Sequence, residues 1–143
     1  MKRTSILILL ALASIPAIAA EKYESTDSLK ARAASTQRGK QAGLYAQVAE
    51  RQLDLMAKSY EGGDFTQAES ALRDVVDYGT KAAQSAMDTG KEMKKTEITL
   101  RKIATRLDDI RKTLSVDDRP AVGEAVQKLE TARTELLHHM FKR

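Results

Sequence analysis

The sequence predicts an all-α fold, an antiparallel bundle of about four helices with an N-terminal signal peptide. Three observations predict it. Apolar residues recur at intervals of three and four along nearly the whole chain beyond residue 26, the period of one helix face. Ala, Leu, Lys, Glu, Arg and Gln dominate the same region, and all favour helix. Nothing there alternates with period two over a useful length, so no strand is expected.

The first residues read as a leader. Lys2 and Arg3 give a short positive start, Ile6 to Ala13 is an unbroken apolar run, and Ala17-Ile18-Ala19 supplies the small residues of a signal-peptidase site. The apolar run is shorter than the ~20 residues a spanning helix needs. Cleavage is expected after Ala19, or after Ala20, and residues 1–19 form the signal peptide. No Cys follows the run to carry a lipid. The short leader looks bacterial, which implies an exported product, periplasmic or extracellular. Processing removes two basic residues and lowers the formal charge from +4 to +2. A nearly balanced surface argues against a nucleic-acid binder, and no transmembrane segment is expected after cleavage.

The remaining 124 residues suit one domain, which would bury roughly two-thirds of its unfolded surface. Without Cys, helix packing alone must hold it together. Residues 20–25 read as a flexible polar lead-in and residues 26–143 as the bundle. Thr26, Asp27 and Ser28 are suitable N-caps for the first helix. Gly39 and Gly43 predict a bend or short break between Arg38 and Gly43. The pattern resumes through Tyr45, Val48, Ala49, Gln52, Leu53, Met56 and Tyr60, and Gly62-Gly63 ends it. Asp64 is the expected cap of the second helix, with Gln67 as its capping-box partner. Phe65, Ala68, Leu72, Val75, Val76, Ala82, Ala83 and Met87 mark the buried side of that helix.

Asp88-Thr89-Gly90 is the weakest boundary: Gly90 either caps the second helix or lies inside one long helix. We place a break there. The third helix carries a heptad stripe of Met93, Thr96, Leu100, Ile103, Leu107, Ile110 and Leu114, spaced 3,4,3,4,3,4. Ser115 to Pro120 stops it. Asp117 or Asp118 caps the fourth helix, with Pro120 in its first turn, and its stripe runs from Val122 to Met140. Loops of a few residues make sequential helices antiparallel, and up-down-up-down is the simplest topology. Phe65–Val75 and Arg119–Leu129 share a weak internal likeness, each placing Ala and aliphatics after a turn.

Few residues here suit chemistry. The absence of Cys excludes thiol nucleophiles. Gly62-Gly63 lacks the spacing and the Lys-Ser/Thr of a phosphate loop. Asp108-Asp109 and Asp117-Asp118 are neighbours that point ~100° apart on a helix, and they read as surface charges and caps. His138 and His139 sit near the end of the last helix, where cationic groups suit the negative end of the dipole. Glu135 precedes His138 by three, but one such pair is too small a donor set for a di-iron or zinc site. No resident cofactor or metal is expected. The run Lys91 to Lys102 could meet anionic lipid or cell-wall polymer, although Glu92 and Glu97 dilute it.

Three resemblances attach to particular residues. Gly63-Asp64-Phe65 with Ala68, after Gly62, resembles the hairpin turn of a tetratricopeptide repeat (TPR), which implies two closely packed helices with an aromatic at their crossing. Met56 stands where that family has a small residue, and only one unit of about 20 residues is visible where a solenoid needs about three. The tail from Leu129 to Arg143 resembles the end of small periplasmic four-helix cytochromes that bind haem b. That resemblance implies His138 or His139 as an axial ligand opposite a Met of the first helix. None stands between Glu21 and Leu55, so Met56 and Met87 are the nearest substitutes. In size and composition the chain is also similar to periplasmic helical chaperones, although their Leu-Thr-x-x-Gln motif is absent. The expectation drawn from all of this is an exported, non-enzymatic module acting on a protein partner or by self-association. The charged face and heptad stripe of the third helix are its first candidate surfaces. A continuous second and third helix would let that stripe form an intermolecular coiled coil.

Overall fold

The computed structural model describes residues 24–142, and the expected signal peptide and its cleavage site lie outside the described residues. Five α-helices appear, and among the described residues there is no strand: α1 (Thr26–Ser35), α2 (Arg38–Glu61), α3 (Phe65–Thr89), α4 (Met93–Thr113) and α5 (Arg119–Phe141). The fold is an all-α bundle with one helix more than the sequence suggested, because the expected first helix is two.

The break that separates α1 from α2 falls earlier than expected. Thr36 (ψ 155°) and Gln37 (ψ 136°) are extended, and Gly39 and Gly43 lie inside α2. Two extended residues are enough to reverse the chain, so glycine is not needed at the turn. The start of α1 is tied by hydrogen bonds to the two lead-in residues that the structure describes, Glu24 and Ser25. Ser25 is its N-cap, the Oγ accepting the Ser28 N–H at 3.1 Å, and Thr26, Asp27 and Ser28 form the first turn instead. Glu24 takes a bidentate hydrogen bond from Arg32, and its carbonyl accepts from Arg51 of α2.

The α2–α3 turn closes on backbone hydrogen bonds from Gly62 N–H to the Lys58 carbonyl and from Asp64 N–H to the Ser59 carbonyl, both 2.9 Å. Gly63 supplies the left-handed residue (φ 76°) that this ending requires. Asp64 caps α3, its Oδ1 accepting the Gln67 N–H at 3.1 Å. The Gln67 side chain does not complete a capping box, since its Oε1 accepts from Ser59 Oγ at 2.9 Å. Gly90 (φ 67°) ends α3, so α3 and α4 are separate helices. Glu92 (φ 58°) then enters α4 through a second left-handed residue. At the last turn Asp118 precedes α5 but makes no side-chain cap hydrogen bond, because its carboxylate accepts from Ser115 Oγ at 2.7 Å.

Alternation of chain direction is retained, but the ring order is not sequential. α2 and α3 form one hairpin and α4 and α5 another, and the hairpins stack with like helices side by side. Glu92 meets Gly43 and Arg106 meets Asp54, which sets α4 along α2 in the same direction. Leu72 and Val76 line one cleft with Ala121 and Ala125, which sets α5 along α3 in the same direction. α3 and α4 consequently touch less than any other adjoining pair. The left-handed residues Gly90 and Glu92 carry the chain across the end of the bundle, a route that a simple up-down ring would not take. The internal likeness between Phe65–Val75 and Arg119–Leu129 falls on the first turns of α3 and α5, two parallel neighbours.

One apolar core lies between the hairpins, containing Leu53, Met56, Val75, Leu100, Ile103, Leu107, Leu129 and Leu136, each at most 2% exposed. Each such side chain contributes about 1.5–3 kcal/mol of transfer free energy. Ala42, Ala49, Ala71, Ala83 and Ala86 let α2 and α3 pack closely, and this is the most extensive helix pairing in the molecule. α1 folds back along α2, with Leu29 and Ala33 fully covered. The five helices close this core among themselves, so a chain beginning at residue 20 keeps every described contact.

Candidate interaction surface

Stacking parallel helices leaves a groove where α2 and α4 meet. Its volume is about 680 Å³. Arg32 and Thr36 border it from the α1 side. Lys40, Leu44, Gln47 and Glu50 line it from α2, and Glu92, Lys95, Thr96 and Thr99 from the α3–α4 loop and α4. The groove exists because the side chains facing it are short or charged, so the two helices are not drawn together by a shared apolar seam.

Gly43 decides how the groove closes at its narrow end. Its N–H donates to Glu92 Oε2 at 3.0 Å, and a Cβ there would stand 3.0 Å from Glu92 Oε1. The missing side chain admits the carboxylate to the α2 backbone. Glu92 itself adopts a left-handed conformation that costs a non-glycine residue about 1–2 kcal/mol. A charge-assisted hydrogen bond of ~1.5–3 kcal/mol can hold it there. With Glu92 so engaged and Arg32 paired to Glu24, Lys40 and Lys95 are left as cations without an ion-pair partner among the described residues. Thr96 lies beneath them, 1% exposed, with an Oγ1 that has no hydrogen-bond partner.

Two polar clusters fix the helices around this groove. Asp74 Oδ2 of α3 accepts from Lys30 Nζ of α1 at 2.6 Å and from Gln52 Nε2 of α2 at 2.7 Å. Burial works against the Lys30 ammonium, but the hydrogen bond and charge of Asp74 outweigh it, and the Lys30 pKa stands above the ordinary lysine value. Tyr78 adds its ring face to Lys30 and Lys81, with ammonium-to-centroid distances of 5.4 and 4.7 Å. Between α4 and α5, Arg133 donates to Glu97 at 2.7 Å and to Glu130 at 2.9 Å, with Glu97 only 8% exposed. The two carboxylates, Glu97 first, raise the Arg133 pKa.

The residues singled out in the sequence fall in three places. Gly62, Gly63, Asp64, Phe65 and Ala68 form the α2–α3 turn. Ala68 is fully buried there, but Phe65 is 51% exposed and meets only the edge of Tyr60, with ring centroids 6.2 Å apart. The aromatic therefore does not enter the helix crossing or join the buried side of its helix, because it is the first residue of α3 and projects beyond the end of the bundle. Leu100, Ile103 and Leu107 of the heptad stripe are buried, while Met93, Ile110 and Leu114 pack partly buried on the same core. The break at Gly90 and this internal packing remove the basis for an intermolecular coiled coil along the stripe. His138 and His139 are both exposed on the last turn of α5, and Glu135 is exposed on the turn before it. Met56 is buried toward the opposite end of the bundle from the histidines, and Met87 packs partly buried against the core. Among the described residues no group of three or more His, Cys, Asp or Glu is placed to hold a metal ion. No described helix is long and apolar enough to cross a membrane.

Gly79, Glu92, Lys40 and the Lys30–Gln52–Asp74 cluster were not singled out from the sequence. Gly79 had a usable signal, since a glycine inside a strongly periodic helix costs about 1 kcal/mol and usually has a packing reason. The others join residues 22 or more positions apart, and no local pattern reports them. Comparisons with family models, curated proteins and solved structures found no match for this chain.

Proposed function

We propose that this chain is an exported, non-enzymatic interaction module, and that it receives an acidic segment of another protein in the groove between α2 and α4. The supporting observation is the pair of cations, Lys40 and Lys95, on opposite walls of an open groove, neither with an ion-pair partner among the described residues, although the Glu50 and Glu92 carboxylates share the lining. The threonines Thr36 and Thr99 add hydroxyl donors beside them. The apolar stripes of the helices are used in the core, which leaves charge and hydrogen bonding as the means of recognition on this face.

The test is site-specific photo-crosslinking in the source cells. A crosslinking residue replaces Gln47, exposed in the groove, or Lys58, exposed toward the other end of α2. A discrete adduct from position 47, absent from position 58 and lost with Lys40→Glu plus Lys95→Glu, supports the reading. Adducts of equal yield from both positions, or none from position 47, overturn it.

A further inference from the structure

The bundle divides its charge by end. α2 and α4 begin, and α3 and α5 finish, at one end; its half of α2 to α5 comprises residues 38–49, 78–102 and 131–142, and α1 beside it adds Lys30 and Arg32 against Glu24 and Asp27. The segments of α2 to α5 hold ten Lys and Arg against four Asp and Glu. The opposite half, residues 50–77 and 103–130, holds eight basic against thirteen acidic side chains. One end is therefore net +6 and the other −5. The dipoles of α2 to α5 do not offset this difference, since two of these helices start and two finish at each end, and α1 adds one further C-terminus at the basic end.

The basic end also carries apolar side chains. Met93, Ile98 and Met140 share a shallow open basin with Lys94, Lys95 and Lys102 around it. Beside it Phe141, the last helical residue of α5, is 77% exposed. Lys94 and Lys102 are exposed and have no ion-pair partner among the described residues. The rim of lysines, the thioether and aliphatic floor, and an aromatic protruding at the end of a rod together match a flat surface of anionic headgroups over hydrocarbon.

We propose that this end of the bundle docks on a lipid surface bearing anionic headgroups. Lys94, Lys102 and their neighbours meet the headgroup phosphates, while Phe141 and Met140 reach the acyl boundary. The opposed charges at the two ends tilt the molecule so that the basic half of its α4–α5 side, from Lys94 to Lys102, lies against the surface and its acidic end points away. This surface differs from the α2–α4 groove and does not depend on a protein partner there.

The experiment is co-sedimentation of the chain from residue 20 with vesicles of phosphatidylcholine alone or mixed with phosphatidylglycerol. Starting at residue 20 removes the apolar run of residues 6–13, which would bind lipid by itself. Binding is expected only with phosphatidylglycerol and should weaken as salt rises. Each lysine near such a surface is worth about fivefold in affinity, so Lys94→Glu plus Lys102→Glu should weaken binding by more than about twentyfold. Lys58→Glu plus Arg73→Glu alters net charge equally at the acidic end and should leave most of the binding. Phe141→Ser should lower the fraction that remains bound at high salt. Absence of binding to phosphatidylglycerol vesicles overturns the proposal. So does equal loss from the two double variants, which would assign the effect to net charge alone. Assembly of the protein into head-to-tail oligomers without vesicle binding also overturns it, and transfers the basic end to the acidic end of a second copy. Circular dichroism of each variant confirms that the helices persist.

Discussion

Gly79 shows how much one missing methyl can decide. It is buried in the middle of α3, and a Cβ there would stand 2.5 Å from Leu129 Cδ2 and 3.3 Å from Leu100 Cδ2. α3, α4 and α5 converge at this point, and both leucines are fully buried. Alanine would improve helix propensity by about 1 kcal/mol, but overpacking a closed core costs about 1–3 kcal/mol. Packing should win, because Leu129 Cδ2 must move by more than half an ångström. Gly79→Ala is expected to lower stability by about 1–2 kcal/mol in urea unfolding, whereas an exposed interior glycine would show the reverse sign. A stabilised variant would mean that the three helices can separate there at little cost.

At the scale of the element, α1 is the least self-sufficient part. Ten residues do not form a stable helix alone in water. It stays because Leu29 and Ala33 are covered by the bundle and because Lys30 reaches Asp74. The Lys30 pKa is raised, so its contribution is complete below the unfolded lysine value of 10.5 and is lost as pH climbs through the higher folded value. Lys30→Met should therefore destabilise the attachment of α1 at pH 8, and the difference from the parent chain should shrink above pH 10.5. Hydrogen exchange of the α1 amides reads this directly, with the amides of α3 as an internal reference. A difference between parent and variant that grows with alkalinity would contradict the Lys30–Asp74 pair as the fastening.

For the whole molecule, stability rests on the closure of α2, α3, α4 and α5 around one core, with α1 laid outside α2. The chain beginning at residue 20 retains all five helices and is the reference for truncation. A chain beginning at Gln37 should still unfold cooperatively, but at a lower temperature, because it exposes the surface under Leu29 and Ala33. Thermal denaturation followed at 222 nm distinguishes these outcomes. Loss of cooperative folding in the chain from Gln37 would make α1 part of the nucleus of the fold instead of an addition to it.

The threefold and fourfold spacing of apolar residues, by itself, determined the helical class, the extents of α3, α4 and α5 to within a few residues, and most of the side chains that are buried. Those properties follow from periodicity along a single helix, which a linear pattern records. Gly63 and Gly90 were legible for the same reason, as left-handed endings are local. Only the tertiary structure decided that α4 runs beside α2, that Phe65 stands outside the core, and that Gly43 receives the Glu92 carboxylate. It also decided that a chain of nearly balanced composition separates its charges into a basic and an acidic end. Each of these depends on which distant helices become neighbours, and that is set by the joint closure of all the apolar faces at once, through a three-residue crossover from Gly90 to Glu92 whose course no single stretch of sequence specifies.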